Sequence, residues 1–215
     1  MRPRERVMFR DRVEAGRALG RRLREQRLED PVVLGLPRGG VVVAAEVADE
    51  LNAPLDVLVA RKLGVPWQQE LAFGAVAPGI VALRDDVVAA AGITRTQIDD
   101  AATRESAKLA ELAERYRGGG APVPVRGRTA VIVDDGLATG ATATAAVRSV
   151  RRQEPARVVV AVPVCAAETA NELRQEVDLV ICLGEYDSFR AVGMYYEDFA
   201  SISDDEVRGL IARKP

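Results

Sequence analysis

Residues 32–36 form an unbroken apolar run, and 55–60 are apolar except for Asp56. Between them lie a Pro-Arg-Gly-Gly turn at 37–40 and an apolar stretch of helical character at 41–51. That order constrains the fold more than any other feature of the chain. Short continuous apolar runs suit strands buried on both faces, and two strands joined through a helix pair in parallel with a right-handed crossover. The alternation returns downstream, with buried strands predicted around Val131, over 158–164 and over 177–183, and helices over about 141–153 and 167–175. The expected fold is α/β, a mostly parallel, twisted sheet flanked by helices. The 215 residues suffice for a single domain, 1–215, whose core is drawn from 32–62 and 128–183.

The stretch between those core segments is less regular. Residues 63–79 read as a long loop with a short extended piece near 72–76, and 80–83 as a short strand. Thr94 is placed to N-cap the longest predicted helix, which runs to Arg117, and 118–124 is a linker. Together 63–127 make a helical and loop insertion. A first helix is predicted over 13–28 with Asp11 as its N-cap, and 184–215 form a small C-terminal segment.

The chain has no histidine, which removes Ser-His-Asp triads, Cys-His dyads and His-ligated zinc. Chemistry must run on carboxylates, Lys and Arg, hydroxyls, backbone amides or a hard metal ion. The 32 acids and 30 bases nearly balance, so bulk charge draws the chain to neither nucleic acid nor membrane. An aromatic content of 4 % is thin for a platform that stacks single strands. No apolar run reaches the roughly 20 residues of a membrane helix, and the basic N-terminus lacks a signal-peptide core. Cys165 and Cys182 lie in apolar runs without a Cys-x-x-Cys pair and read as buried reduced thiols. The expectation is a soluble cytoplasmic protein.

Residues 131–142, Val-Ile-Val-Asp-Asp-Gly-Leu-Ala-Thr-Gly-Ala-Thr, carry the most chemistry. A buried strand ends, Asp134 and Asp135 stand side by side, a small hydroxyl-bearing loop follows, and a helix begins. A helix start offers free N–H groups and the positive end of its dipole to a phosphate. The two carboxylates suit ribose hydroxyls or a bound Mg²⁺. A plain βα turn with an aspartate N-cap would need only one of the acids and neither threonine. The segment lacks the length and the lysine of a P-loop, and no Gly-x-Gly-x-x-Gly follows a strand. In a sheet of this kind ligands gather at the carboxyl ends of the strands. That rule brings 37–40, 61–62, 134–142 and the residues from 184 onward to one edge.

The motif resembles the ribose-phosphate signature of the type I phosphoribosyltransferases: a few apolar residues, two acids, then a Thr-Gly-x-Thr loop. The resemblance implies the Rossmann-like fold of that family, with a small hood-like C-terminal segment. It also implies roles. Ala138, Thr139, Gly140, Ala141 and Thr142 would hold the 5′-phosphate of phosphoribosyl diphosphate. Asp134 and Asp135 would be catalytic, holding the ribose hydroxyls directly or through Mg²⁺, with the metal contacted only indirectly, through ribose hydroxyls or water. Arg38-Gly39-Gly40 resembles the family's diphosphate loop, with a forked cation and exposed amides. Arg61 or Lys62, at the predicted end of the second strand, is a further diphosphate contact; a solvated strand end is the plainer alternative. Arg38 and Lys62 join the acids as catalytic candidates. Residues 63–79 fall where the family has a mobile loop that closes over substrate, with Glu70 as a polar contact.

Residues 184–199 hold five of the chain's nine aromatic residues. Phe189-x-x-Val192-Gly193 resembles the base-stacking segment of the hypoxanthine/guanine members, which makes Phe189 and Val192 base-binding candidates. The same aromatics can equally staple the segment to the body of the domain. Ala138 stands where 6-oxopurine members place an aspartate and where adenine-type members have alanine, so the base stays open. The implied activity is transfer of the phosphoribosyl group to a nitrogenous base in nucleotide salvage, with Mg²⁺. The implied partners are the two small substrates, with no nucleic acid or membrane, and a homodimer by family analogy. The alternatives are a non-catalytic phosphoribosyl diphosphate or nucleotide sensor, and another transferase or hydrolase of ribose 5-phosphate nucleotides.

Overall fold

The computed structural model describes residues 8–213, apart from the side chains of Gln69 and Glu70. The contact expected of Glu70 lies outside the described residues. Among those described, five strands form one parallel sheet in the order β2 (Leu55–Val57), β1 (Pro31–Gly35), β6 (Thr129–Val133), β7 (Arg157–Ala166) and β8 (Leu179–Tyr186). Successive side chains of a strand face opposite ways, and both faces are covered. Val131 and Val133 of β6 pack with α1 (Arg12–Arg24), α2 (Gly39–Leu51), α4 (Arg95–Arg117) and α7 (Asp204–Ala212). Ala130 and Ile132 pack with α5 (Ala141–Arg151) and α6 (Ala167–Leu173). Two covered faces are why the strands read as unbroken apolar runs.

From β1 the chain winds outward to β2 on one side, and from β6 it winds outward to β7 and β8 on the other. The order therefore reverses between β1 and β6, and the crevice outside their carboxyl ends is where such sheets take ligands. Residues 37–40 leave β1 there, and Asp134 and Asp135 leave β6 beside them. The peptide between Pro37 and Arg38 is cis.

Local signals set the helix ends. The Asp11 side chain accepts the Glu14 N–H at 2.8 Å, and Thr94 forms a capping box with Gln97. The first helix stops at Arg24, short of the predicted 28, because Arg27 and Asp30 take left-handed backbone (φ 50° and 40°) to turn the chain into β1.

The long loop expected over 63–79 is folded. β3 (Arg61–Val65), β4 (Gln68–Ala77) and β5 (Ile80–Leu83) make a separate antiparallel sheet, followed by α3 (Asp85–Ala91). Arg61 and Lys62 thus open β3 instead of closing β2, which ends at Val57. The reason is tertiary: Ala75, Ala77 and Ala82 pack on Ala145 of α5, and alanine carries little strand propensity of its own.

The C-terminal segment also divides. β8 extends to Tyr186, beyond the predicted 183, and α7 packs back on α4 and α2. Only the intervening stretch stays near the strand ends, where the N-terminal segment is zipped to it. The Phe9 N–H donates to the Tyr195 carbonyl at 2.9 Å, and the Glu197 and Asp198 amides donate to the Phe9 and Arg10 carbonyls at 2.8 Å. Cys165 and Cys182 are free thiols on β7 and β8, the first buried and the second half-buried. No described helix is long and apolar enough to cross a membrane.

Candidate active site

Asp134 and Asp135 follow β6 and are half-buried. The Asp134 carboxylate accepts the Asp135 N–H at 2.8 Å. The Asp135 carboxylate accepts from Arg12 Nε at 2.7 Å, and its carbonyl accepts from the Tyr196 hydroxyl at 2.6 Å. Burial pushes the Asp134 carboxyl well above its ordinary range and the neighbouring Asp135 charge adds to this, while the Asp135 amide, Arg12 and Lys62 oppose it. Burial raises Asp135 as well, against the hydrogen bond and charge of Arg12.

The Arg38-Gly39-Gly40 loop lies directly on this pair. A Cβ at Gly39 would overlap the Asp135 carboxylate. One at Gly40 would sit 2.8 Å from the Asp134 Cα and 2.9 Å from the Val133 carbonyl. Only glycine allows this approach. The Arg38 guanidinium is half exposed, with Asp204 as a loose neighbour at 3.9 Å. The two cations of β3 diverge, as alternate residues of a strand must. Arg61 donates to Glu105 of α4 at 2.5 Å, whereas Lys62 is exposed and its charge reaches Asp134.

Past the acids, the loop is held from below. The Leu137 N–H donates to the Val164 carbonyl at 3.0 Å, and the Ala166 N–H to the Leu137 carbonyl at 2.9 Å. The Thr169 hydroxyl donates to the Ala138 carbonyl at 2.6 Å. Gly140 takes left-handed backbone (φ 67°) to launch α5, whose start no side chain caps. Ala138 and Thr139 are exposed, and Ala141 and Thr142 half-buried. Ala138, Thr139 and Ala141 line a cavity of about 650 Å³ together with Thr144, Thr169 and Phe189.

Phe189 lines that cavity and stacks on Tyr195 (centroids 5.0 Å apart, planes at 15°), and Tyr195 stacks in turn on Tyr186 at 4.6 Å. The aromatics staple the segment by stacking on one another. Val192 packs over Gly136 of the 136–142 loop, close enough that a Cβ there would come within 2.5 Å.

Among the described residues no group of three or more His, Cys, Asp or Glu is arranged to hold a metal by itself. Two adjacent carboxylates that burial disfavours when ionised are still a hard-oxygen pair that a divalent cation would relieve. Mg²⁺ typically takes one or two carboxylates and fills its shell with water and substrate phosphates. The residues fit that ion in company with a phosphorylated substrate.

Sequence reasoning missed three groups here: Arg12, Tyr196 and Thr169. Arg12 lies 123 residues from Asp135, and nothing local marks it. Tyr196 sits in the aromatic-rich stretch, which was the one available signal.

Residues 11–198 match the family model described as a phosphoribosyl transferase domain. Two curated proteins of Mycobacterium tuberculosis are named "Putative phosphoribosyl transferase MT0597" (strain CDC 1551 / Oshkosh) and "Putative phosphoribosyl transferase Rv0571c" (strain ATCC 25618 / H37Rv). Each is 47 % identical over 207 residues, 96 % of this chain and 47 % of its own length. The chain spans about half the length of these curated relatives. The crystal structure of TT1426 from Thermus thermophilus is 42 % identical, with a TM-score of 0.83 over 97 % of this chain and 99 % of that one.

Proposed function

The chain belongs to the phosphoribosyl transferase family, and on that premise we propose that it binds 5-phosphoribosyl 1-diphosphate with Mg²⁺ and transfers the phosphoribosyl group to a nitrogenous base, releasing diphosphate. One observation carries the reading: the Gly39-Gly40 turn and the Asp134-Asp135 pair interlock at the carboxyl ends of β1 and β6, where neither glycine could bear a side chain. A diphosphate loop and a ribose-hydroxyl pair have to be neighbours to serve one sugar, because C1 carries the diphosphate and C2 and C3 the hydroxyls.

In this reading the amides of 138–142, with the Thr139 and Thr142 hydroxyls, take the 5′-phosphate at the uncapped start of α5. Asp134 and Asp135 accept from the 2′ and 3′ hydroxyls. Arg38, the Gly39 and Gly40 amides and Lys62 take the diphosphate; Arg61, engaged with Glu105, contributes less than the sequence allowed. As the C1–O bond breaks, positive charge grows on the ribose and negative charge on the leaving diphosphate. The acids face the first and the cations and amides the second, so catalysis is electrostatic and needs no covalent nucleophile. Mg²⁺, held by Asp134 and Asp135 indirectly through the ribose hydroxyls or water, would supply charge to the diphosphate oxygens. Phe189 and Val192 bound the base end. The same reading carries a cytoplasmic, homodimeric salvage enzyme.

The test is diphosphate release from phosphoribosyl diphosphate and Mg²⁺ with a panel of bases. Base-dependent release is the expected result, abolished in Asp134→Asn and Asp135→Asn. Tight binding without turnover for any base would assign a sensor instead, and unchanged activity in both variants would sink the site assignment.

A further inference from the structure

Arg12 opens α1, where a helix start favours acids over bases, and it is 9 % exposed. A buried guanidinium is costly unless its donors and faces are used. Here they are. Nε donates to Asp135 Oδ2 at 2.7 Å, one terminal nitrogen donates to the Ala200 carbonyl at 2.9 Å, and Cζ lies 3.8 Å from the centre of the Phe199 ring. The Tyr196 ring lies 6.0 Å away and its hydroxyl holds the Asp135 carbonyl. Asp135 is therefore gripped at both its ends, the side chain by Arg12 and the backbone by Tyr196. The Gly39 turn closes the same cluster, since a Cβ there would come within 2.7 Å of Arg12 Nε.

We propose that Arg12 is the positioning residue of the phosphoribosyl site: it fixes the Asp135 carboxylate for the sugar and, through Ala200 and Phe199, ties that orientation to the seating of residues 196–200. The inference rests on the phosphoribosyl reading above. With Oδ2 engaged by Arg12, the other carboxylate oxygen accepts from a ribose hydroxyl in one fixed direction. Without Arg12 the carboxylate loses that direction, and the C-terminal segment loses its tie to the acidic pair. Lysine in its place keeps the charge but has neither the planar fork nor the stacking face.

The experiment uses the full chain with Arg12→Gln, Arg12→Lys and Phe199→Ala, and Arg10→Gln as an exposed control. Phosphoribosyl diphosphate is varied with Mg²⁺ at a saturating level of whichever base in the panel supports turnover, and hydrogen exchange is followed at the Glu197, Asp198 and Ala200 amides. Loss of a charged hydrogen bond predicts that R12Q raises KM for phosphoribosyl diphosphate by about tenfold or more. KM for the base stays unchanged, R12K recovers part of the loss, and the three amides exchange faster. F199A speeds the same exchange and raises KM by a smaller factor. A wild-type KM in R12Q, a loss confined to kcat, or an R12K no better than R12Q would overturn the inference. If R12Q does not fold, R12K and F199A carry the test with the same readouts. A wild-type chain that binds no phosphoribosyl diphosphate would fail the functional reading instead. Exchange at the three amides would then decide the clamp alone, faster exchange in R12K or F199A supporting it and unchanged exchange overturning it.

Discussion

Replacing Gly40 with alanine probes the interlock on which the functional reading depends. The new Cβ would stand 2.8 Å from the Asp134 Cα and 2.9 Å from the Val133 carbonyl oxygen. Comfortable contact between such atoms begins at about 3.5 Å, so the start of α2 must retreat by about 0.7 Å. Both obstructing atoms belong to the backbone at the end of a central strand, so no rotamer change relieves them. Overpacking of this kind costs about 1–3 kcal/mol, which for a domain of this size lowers Tm by about 2–12 °C. The retreat carries with it the Gly39 and Gly40 amides, the proposed diphosphate donors. Displacement approaching 1 Å costs up to about a hundredfold in rate, so kcat/KM for phosphoribosyl diphosphate should fall by about ten- to a hundredfold. The matched control is Gly209→Ala in α7, where nothing lies within 4 Å of the added Cβ. It should gain about 0.5–1 kcal/mol from helix propensity alone. Thermal unfolding and diphosphate release measure both variants. If G40A is as stable as G209A and turns over normally, the loop does not lie on the acidic pair and the reasoning fails.

Asp134 and Asp135 both titrate above their ordinary range when folded, so the native state keeps protons that the unfolded chain has released. Stability should therefore decline as pH rises from about 3.9 through the raised folded values and then level off; a Tm that climbs across that interval would contradict the burial account. For the same reason Asp134→Asn should melt higher than wild type near about pH 7 while losing turnover. Asp135→Asn, which strands Arg12, should show no such gain in the same melting experiment. Asp56 is 3 % exposed and accepts from Arg117 Nε at 2.8 Å, the Val123 amide at 2.9 Å and the Val57 amide at 2.7 Å. Asp56→Ala should cost about 3–5 kcal/mol in urea unfolding and leave KM for phosphoribosyl diphosphate unchanged. Tyr196→Phe removes one hydrogen bond to Asp135 and should cost about 0.5–1.5 kcal/mol, with a higher KM for phosphoribosyl diphosphate in the kinetic assay.

The parts of this molecule that a linear reading reaches are those whose cause is local. The apolar runs that became β1, β6 and β7 are buried on both faces, and that burial leaves its mark residue by residue. Thr94 and Gln97 cap a helix within three positions of each other, so the pair is visible on sight. The neighbourhood of 37–40 and 134–142 follows from a general rule about parallel sheets, which needs only strand ends. In the meander at 61–83 the extended piece near 72–76 and the strand at 80–83 are legible, but β3 and the full length of β4 are not, because alanine and glycine there take their conformation from what they touch. Arg61 and Lys62 look alike in sequence; strand alternation and the presence of Glu105 separate them. Arg12 is one of many arginines. Its partners lie 123 and 188 residues away, and only the folded chain brings them together.

The seam between the meander and α5 has a mechanical meaning. Ala75, Ala77 and Ala82 meet Ala145 there, and a methyl group has no rotamers to exchange. Surfaces lined with leucine or methionine can slip and repack; a methyl seam can only be close or apart. The strand bearing Lys62 is hydrogen-bonded to β4, and α5 is the helix whose start would face the 5′-phosphate. The spacing between the strand that carries Lys62 and the start of α5 is thus held by contacts that leave little room to slide, like a gauge block set between the two proposed ends of the site.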